Sequence, residues 1–230
     1  MPTISFRGTR VNYRGTDVLG PVDLDLTEHR IGIIGSNGSG KSTLVRLING
    51  LIEPTSGTVL YDGRSPATEG KHVRRRVGFV FSDAESQIVM PRVADDIAFS
   101  LRRFRLPRAE VRRRADEMLE RFGLRGRADN SPHTLSGGEK QLLALAAVLV
   151  TQPDTVIADE PTTLLDLRNR RRIIRELAAL PQQLIVVTHD VDMLHNFDRV
   201  LCLNDGVLVY DGSPADAVAY YLALMEDDPQ

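Results

Sequence analysis

The sequence of 230 residues has little cysteine, no long apolar run and almost no net charge. Its one cysteine, Cys202, excludes a disulfide within the chain and lies in the apolar run 200–203, where a small buried side chain is expected. The longest apolar run, 142–150, is far shorter than the ~20 residues that cross a bilayer, and residues 1–10 lack the apolar core of a signal peptide. The sequence therefore predicts a cytosolic protein, or one that reaches a membrane through a partner.

The charge balance gives no reason to expect a nucleic-acid partner. Lys and Arg number 29 and Asp and Glu number 31, so the net charge is −2 and no global basic field surrounds the chain. Arginine runs do occur, at 74–76, 102–105, 112–114 and 170–172. We interpret them as solvated helix faces interleaved with acidic residues, and we predict that the chain binds no nucleic acid.

A glycine-rich run stands between the apolar stretch 31–34, which predicts a strand, and the amphipathic segment 44–51, which predicts a helix. The run consists of Gly35, Ser36, Asn37, Gly38, Ser39, Gly40, Lys41, Ser42 and Thr43. In such a loop the backbone N–H groups surround phosphate oxygens, Lys41 reaches the outer phosphates, and the hydroxyl of Ser42 can ligate Mg²⁺. The sequence therefore predicts a site for a nucleoside triphosphate.

A second candidate anion site precedes the helical run 140–150. Its residues are Ser136, Gly137, Gly138 and Glu139. Because they stand at the start of a predicted helix, their N–H groups are expected to face an anion.

Carboxylates and an imidazole follow later strands. Asp159 and Glu160 end a predicted strand that begins at Thr155 and contains the apolar run 156–158. Asp159 suits Mg²⁺ held through water, and Glu160 suits a general base that polarises an attacking water. Asp166 follows, and His189 comes directly after a further strand, at the sheet edge where ligands of open α/β sheets bind.

In order and spacing, these motifs resemble those of the ATP-binding-cassette (ABC) ATPases over nearly the whole chain. The resemblance identifies the phosphate loop at 35–43, the signature at 135–139, the Walker B strand at 155–160, the D-loop around Asp166 and the switch histidine at His189. It implies that Tyr13 stacks on adenine and that ATP and Mg²⁺ are the cofactors. It also implies that two subunits, identical or paired, dock head to tail, so that the signature of one closes over the ATP held by the other.

The fold expected on this basis is α/β, with a P-loop NTPase core in which helices flank a mostly parallel sheet. Alternating segments at 3–6 and 22–26 predict an N-terminal antiparallel β-subdomain. A helical insert without strands is predicted between 90 and 130, followed by the signature. We predict one domain over 1–230, in which 1–85 and 151–230 form the core lobe and about 86–150 the helical subdomain.

Two positions depart from the family pattern. Where the family has a glutamine after the strand that follows the phosphate loop, this chain has Ser82, which is too short for that role. Either a water bridges the gap at Ser82, or Gln87 supplies the amide from further along; we assign both residues to a coupling segment. In the D-loop, Leu164 occupies a position where glycine or alanine is commoner.

The segment 80–99 also resembles the energy-coupling-factor (ECF) branch of ABC importers, and the short chain resembles the ATPases of biotin importers. The resemblance implies an ATP hydrolase on the cytoplasmic side of the membrane, working with a transmembrane scaffold and substrate-binding membrane subunits to import a vitamin. A cobalt or nickel importer of the same branch is one alternative. A soluble ABC ATPase is another, although no heptad pattern separates Lys41 from Ser136.

Overall fold

The computed structural model describes residues 1–163 and 165–226 of the chain. The strands are β1 (Ile4–Tyr13), β2 (Thr16–Leu26), β3 (Arg30–Gly35), β4 (Ser56–Tyr61), β5 (Val77–Val80), β6 (Thr155–Asp159), β7 (Gln183–Val187), β8 (Arg199–Asn204) and β9 (Val207–Gly212). The helices are α1 (Lys41–Ile48), α2 (Gly70–Arg76), α3 (Val93–Ser100), α4 (Arg108–Arg121), α5 (Gly137–Leu149), α6 (Leu167–Ala178) and α7 (Pro214–Glu226). Short 3₁₀ helices lie at Arg102–Phe104, Arg125–Arg127, Pro132–Thr134 and Val191–Leu194.

The chain divides into two compact units. The first comprises Met1–Val77, Asp154–Glu160 and the residues from Pro181 onward, and the second comprises Gly78–Pro153 and Pro161–Leu180. The predicted helical subdomain, about 86–150, falls inside the second unit, which also includes the segment that follows Glu160. The prediction of a single functional domain over 1–230 stays a prediction.

The first unit contains a parallel sheet and an antiparallel sheet. Strands β6, β7, β3 and β8 run parallel in that order, and β9 pairs antiparallel with β8. The apolar runs that form the parallel strands are buried along nearly their whole length, because helices cover such sheets on both faces. Strands β2, β1 and β4 form the separate antiparallel sheet. The predicted fold class, α/β with an N-terminal antiparallel sheet, is confirmed.

One face of the first unit's core is closed by α7. Ile34, Leu194, Val200, Cys202 and Ala217 form a buried cluster in which Ala217 is the contribution of α7. Cys202 is fully buried in β8, in agreement with its apolar surroundings in the sequence. This cluster lies directly behind the end of β3, so it supports the loop that follows Gly35.

The second unit is helical apart from the residues of β5. Helix α5 is buried on nearly all sides, as its continuous apolar sequence predicts. Helices α3 and α4 pack against it, with Ile97, Leu119 and Phe122 fully buried. No strand occurs between residues 90 and 130, which confirms the predicted helical insert. Within 1–163 and 165–226, no helix is long and apolar enough to cross a membrane. The predicted departure at Leu164 lies outside the described residues.

Candidate functional site

The phosphate loop lies between β3 and α1, and its lysine folds back over it. Lys41 Nζ donates hydrogen bonds to the carbonyl oxygens of Gly35 and Ser36, at 2.8 Å and 2.7 Å. Only 7% of Lys41 is exposed. Burial lowers the pKa of the Lys41 ammonium, and the nearby carboxylates of Glu160 and Asp159 oppose that shift. The ammonium is therefore held at the mouth of the loop, with carboxylates close by.

Two glycines of the loop have conformations and surroundings that exclude a side chain. Gly35 has φ 146°, and a Cβ there would lie 2.0 Å from the carbonyl oxygen of Leu203. Gly40 has φ 93°, and its Cβ would lie 2.8 Å from the carbonyl oxygen of Val18. These approaches explain why the sequence needs glycine where the loop leaves β3 and enters α1.

The remaining loop residues are arranged to receive an anion. Asn37 and Gly38 are exposed at the tip of the loop, and Gly38 has φ 81°. The hydroxyl of Ser39 is buried, and within the described residues it has no hydrogen-bond partner. Gly40 provides no side-chain cap, so the first N–H groups of α1, including the turn that contains Thr43, open toward the loop. Orphan donors at a helix N-terminus fit a polyphosphate.

A serine hydroxyl and a buried carboxylate meet beside the loop. Ser42 Oγ donates a 2.8 Å hydrogen bond to Asp159 Oδ1, and Asp159 is 2% exposed. Both are hard oxygen ligands of the kind that Mg²⁺ accepts together with substrate phosphates. The described residues contain no cluster of three or more His, Cys, Asp or Glu that could hold a metal by itself. The donor set thus fits a metal that a nucleotide helps to bind.

Arg46 is a contact that the sequence analysis missed. Its guanidinium donates to Asp159 Oδ2 at 3.2 Å, so Ser42 and Arg46 engage the two oxygens of one carboxylate. Residues four apart on a helix share a face. The spacing of Arg46 from Ser42 places both on one face of α1, but nothing in the sequence places Asp159 opposite that face.

Glu160 and His189 come from the carboxyl ends of two neighbouring strands. His189 Nδ1 lies 2.9 Å from Glu160 Oε2, and the His189 side chain is 62% exposed. The Glu160 N–H donates to the carbonyl oxygen of Val187 at 2.9 Å, and Glu160 has φ 53°. A glutamate in this left-handed region carries backbone strain of the kind found at functional positions.

Tyr13 stands at the end of β1 with 64% of its surface exposed. The guanidinium carbon of Arg14 lies 5.3 Å from the centre of its ring. An exposed aromatic ring with a cation beside it can stack on a planar base. The stacking role stays a prediction.

The signature residues cap α5. Ser136 Oγ accepts a hydrogen bond from the Glu139 N–H, and the Glu139 carboxylate accepts one from the Ser136 N–H at 2.8 Å, which makes a capping box. The Ser136 N–H lowers the pKa of Glu139, and Arg127 adds to the effect. A Cβ at Gly137 would meet no atom within 4 Å, so this surface is open. Capping and anion binding are compatible at this position.

The D-loop residue and the signature meet through Asn169, a second residue that the sequence analysis missed. Asp166 caps α6 by accepting from the Asn169 N–H at 2.9 Å and from its side-chain amide at 2.8 Å. A Cβ at Gly138 would lie 2.1 Å from the Asn169 side chain. The cap spacing Asp-x-x-Asn was the available signal.

Gln87 is engaged inside the second unit. Its Oε1 accepts from the Phe81 N–H at 3.2 Å, and its Nε2 donates to the carbonyl oxygen of Ala144 at 3.4 Å. Gln141 donates to the Phe81 carbonyl oxygen at 3.4 Å, so both polar groups of the Phe81 backbone have side-chain amide partners. Ser82, partly buried, follows directly. Gln87 and Gln141 thus fix the start of the predicted coupling segment.

Comparisons with known proteins agree with this geometry. The ABC transporter family profile matches residues 19–163. The biotin transport ATP-binding protein BioM of Rhizobium etli is 47% identical over 218 residues, 95% of this chain and 97% of that protein. The energy-coupling factor transporter ATP-binding protein EcfA1 of Halalkalibacterium halodurans is 40% identical over 190 residues, 80% of this chain and 68% of that protein.

A solved structure is also similar. CbiO1 of Clostridium perfringens, part of the ABC transporter complex CbiONQ, superposes with a TM-score of 0.83 at 31% identity and covers 97% of this chain and 93% of its own. Matches of this extent show the family and not the fold alone. The chain belongs to the ABC transporter family and is an ATP-binding, ATP-hydrolysing protein of that family.

Proposed function

We propose that the chain is the Mg²⁺-dependent ATPase subunit of an ECF-type importer whose solute is biotin. The observation that carries the hydrolytic part is the arrangement of Ser42, Asp159, Glu160 and His189 around the phosphate loop. The extended similarity to BioM supports the choice of biotin, and the similarity to EcfA1 supports the importer branch.

Within this proposal, each part of the site has one task. The loop amides and Lys41 bind the phosphates, and Tyr13 stacks on adenine. Ser42 and Asp159 would hold Mg²⁺, which neutralises charge on the transferring phosphoryl group when bound. Glu160 orients the attacking water, and His189, whose ring lies beside that carboxylate, contacts the γ-phosphate.

The signature completes a neighbouring site. Gly137 is open on the side where a Cβ would stand, Ser136 is bonded in the capping box, and the Asn169 side chain packs closely against Gly138. We assign these groups, with Glu139, to the ATP bound by a second ABC subunit, either a copy of this chain or a paired one. The two subunits then pair head to tail, with Asp166 at their interface.

The membrane partners are a transmembrane scaffold and a substrate-binding subunit, and the chain lies peripherally on the cytoplasmic side. A cavity of about 250 Å³ in the second unit supports this proposal. Apolar residues Ile88, Val89, Met90 and Pro91 line it, and the ion pair between Lys140 and Glu85 stands beside them. An apolar floor with a polar rim is typical of a protein docking site. Ser82 and Gln87 precede the cavity and would transmit movement to it.

The test is uptake of labelled biotin by vesicles that contain this chain and the membrane subunits co-purified with it. We expect ATP-driven accumulation of biotin and none with Glu160→Gln. Accumulation of labelled cobalt in place of biotin would contradict the choice of solute while keeping the importer. Purification of the chain from membranes with no transmembrane subunit attached would contradict the importer itself.

A further inference from the structure

The positive charge of the chain is concentrated in one short segment of the second unit. Residues 102–114 contain seven arginines and one glutamate, a formal charge of +6 in a chain whose total is −2. The rest of the chain is therefore at −8. The segment spans the 3₁₀ helix Arg102–Phe104 and the start of α4.

Arginines of this segment differ in their partners. Arg113 and Arg114 are paired with Glu110, at 2.7 Å and 2.6 Å. Four others are exposed, and in the described part of the chain they have no carboxylate oxygen within 4.0 Å. These four are Arg102, Arg105, Arg108 and Arg112, which we call the unpaired arginines. Glu110 is already committed to Arg113 and Arg114, so the segment keeps most of its positive charge.

An apolar hollow lies against Arg102, one of the unpaired arginines. It has a volume of about 380 Å³ and is lined by Met90, Ala98, Phe99, Val111 and Arg102, with Asp95 at its edge. Phe99 is 42% exposed. Asp95 is held by Arg92 at 2.7 Å, so its charge is largely balanced. The lining of the hollow thus includes an exposed aromatic ring, that of Phe99, and the guanidinium of Arg102, which has no carboxylate partner among the described residues.

We propose that the unpaired arginines and Phe99 bind the anionic phospholipid surface of the membrane. Guanidinium groups donate in pairs to phosphate oxygens, and an exposed aromatic side chain beside them can enter the region between headgroup and acyl chain. The charge of the segment is complementary to an anionic leaflet. The apolar hollow favours lipid over nucleic acid, whose backbone would use the arginines but leave the hollow empty. The inference rests on the proposed position of the chain at a membrane.

The test is sedimentation of the purified full chain with vesicles at about 0.1 M salt, where surface charges are only partly screened. The vesicles are equal parts phosphatidylglycerol and phosphatidylcholine, or phosphatidylcholine alone. We expect binding to the first and not to the second. The fourfold variant Arg102→Gln, Arg105→Gln, Arg108→Gln, Arg112→Gln should lose affinity by about fivefold for each arginine replaced.

A matched control removes the same charge elsewhere: Lys71→Gln, Arg74→Gln, Arg75→Gln, Arg171→Gln, all exposed. This control has the same net charge as the fourfold variant. We expect it to bind anionic vesicles with an affinity within about twofold of wild type. Equal loss in both variants would overturn the proposal in favour of unspecific attraction. Phe99→Ser should weaken binding to anionic vesicles. Tight binding of duplex DNA by wild type, with no binding to vesicles, would overturn the proposal in favour of nucleic acid.

Hydrolysis of ATP by the fourfold variant, measured in the absence of vesicles, should equal that of wild type. If wild type binds anionic vesicles as expected but supports no uptake in the transport assay, the proposed importer function fails while the lipid site stands. If uptake is normal and wild type does not sediment with anionic vesicles, the lipid site fails alone.

Discussion

His189 Nδ1 and Glu160 Oε2 lie 2.9 Å apart, although the two residues are separated by a helix and a strand in the sequence. The Glu160 N–H also bonds to Val187, two residues before His189. The imidazole and the carboxylate are thus fixed relative to one another by adjacent strand ends. This pairing gives the carboxylate a defined direction before any water is bound.

Glu160→Gln should preserve ATP binding and lower turnover by at least ~10²-fold, because the amide no longer polarises an attacking water while the phosphate contacts are unchanged. The measurements are ATP affinity by equilibrium titration and phosphate release at saturating ATP. The variant should also accumulate as an ATP-bound dimer. Turnover within threefold of wild type would remove Glu160 from the catalytic role.

Arg46 should be energetically coupled to Asp159. Arg46→Met leaves a nearly buried carboxylate without its guanidinium partner, while Asp159→Asn removes the charge that needs it. In a double-mutant cycle followed by urea unfolding without nucleotide, we expect a coupling free energy of about 0.5–3 kcal/mol between Arg46 and Asp159. Arg46→Lys, which keeps the charge, should lose less. Additive effects would show that the 3.2 Å contact contributes nothing to stability.

Asp96 should stabilise the segment beside the cavity through its acceptor oxygen and not through its charge. Asp96 is 4% exposed, and its Oδ1 accepts from the N–H groups of Val89 and Met90, at 2.9 Å and 3.0 Å. Asp96→Leu leaves both donors unpaired and should cost about 1–3 kcal/mol for each. Asp96→Asn keeps an acceptor and removes a charge that burial disfavours, so at neutral pH it should be more stable than wild type. Asp95→Asn, at the partly exposed neighbouring position, is the control.

The same residue predicts a pH dependence. Burial raises the pKa of Asp96, against the lowering effect of the two N–H bonds. The folded state therefore binds this proton more tightly than the unfolded state does. The free-energy cost of burying the Asp96 charge is fully present above the pKa of the folded state. It disappears as the pH falls from that pKa to the lower pKa of the unfolded state. The stability advantage of Asp96→Asn over wild type should shrink over that interval. An advantage that grows on acidification would contradict the sign of the shift.

Gln87→Ala should uncouple transport from hydrolysis. The substitution frees the Phe81 N–H and the Ala144 carbonyl oxygen, and it leaves the first unit's phosphate-loop residues untouched. In vesicles, biotin uptake per ATP hydrolysed should fall while basal ATPase stays nearly intact; Ser82→Ala should preserve hydrolysis. Equal loss of uptake and hydrolysis would make Gln87 the displaced metal-contacting glutamine. Loss of neither would leave it a structural residue.

A mixture of two inactive variants tests the shared site. Lys41→Ala removes a charge-assisted contact to ATP worth ~1.5–3 kcal/mol, and Ser136→Arg blocks the signature surface. A dimer with one chain of each kind keeps one intact composite site if the subunits pair head to tail. Partial recovery of ATPase on mixing is expected. No recovery in dimers shown to contain both variants would contradict head-to-tail pairing of this chain with itself.

The phosphate loop and the fold class could be predicted from the sequence because both depend on local patterns. The loop needs glycine at fixed positions between a strand and a helix, and a buried parallel strand needs a continuous apolar run. Both requirements are therefore visible as patterns in consecutive residues. The helix start at Ser136 could be predicted for the same reason, since a cap bonds to a residue three positions on.

Contacts between distant segments could not be predicted in this way. The sequence names Asp159, but only the tertiary structure brings Arg46 to its second oxygen, across more than one hundred residues. It also shows what Gln87 contacts: the side-chain amide bonds to Phe81 and Ala144, two partners that the sequence did not indicate. Hydrogen bonds within a loop or a helix start depend on neighbouring residue types, which the sequence shows directly. A long-range partner depends on how strands and helices pack, and no single segment specifies that packing.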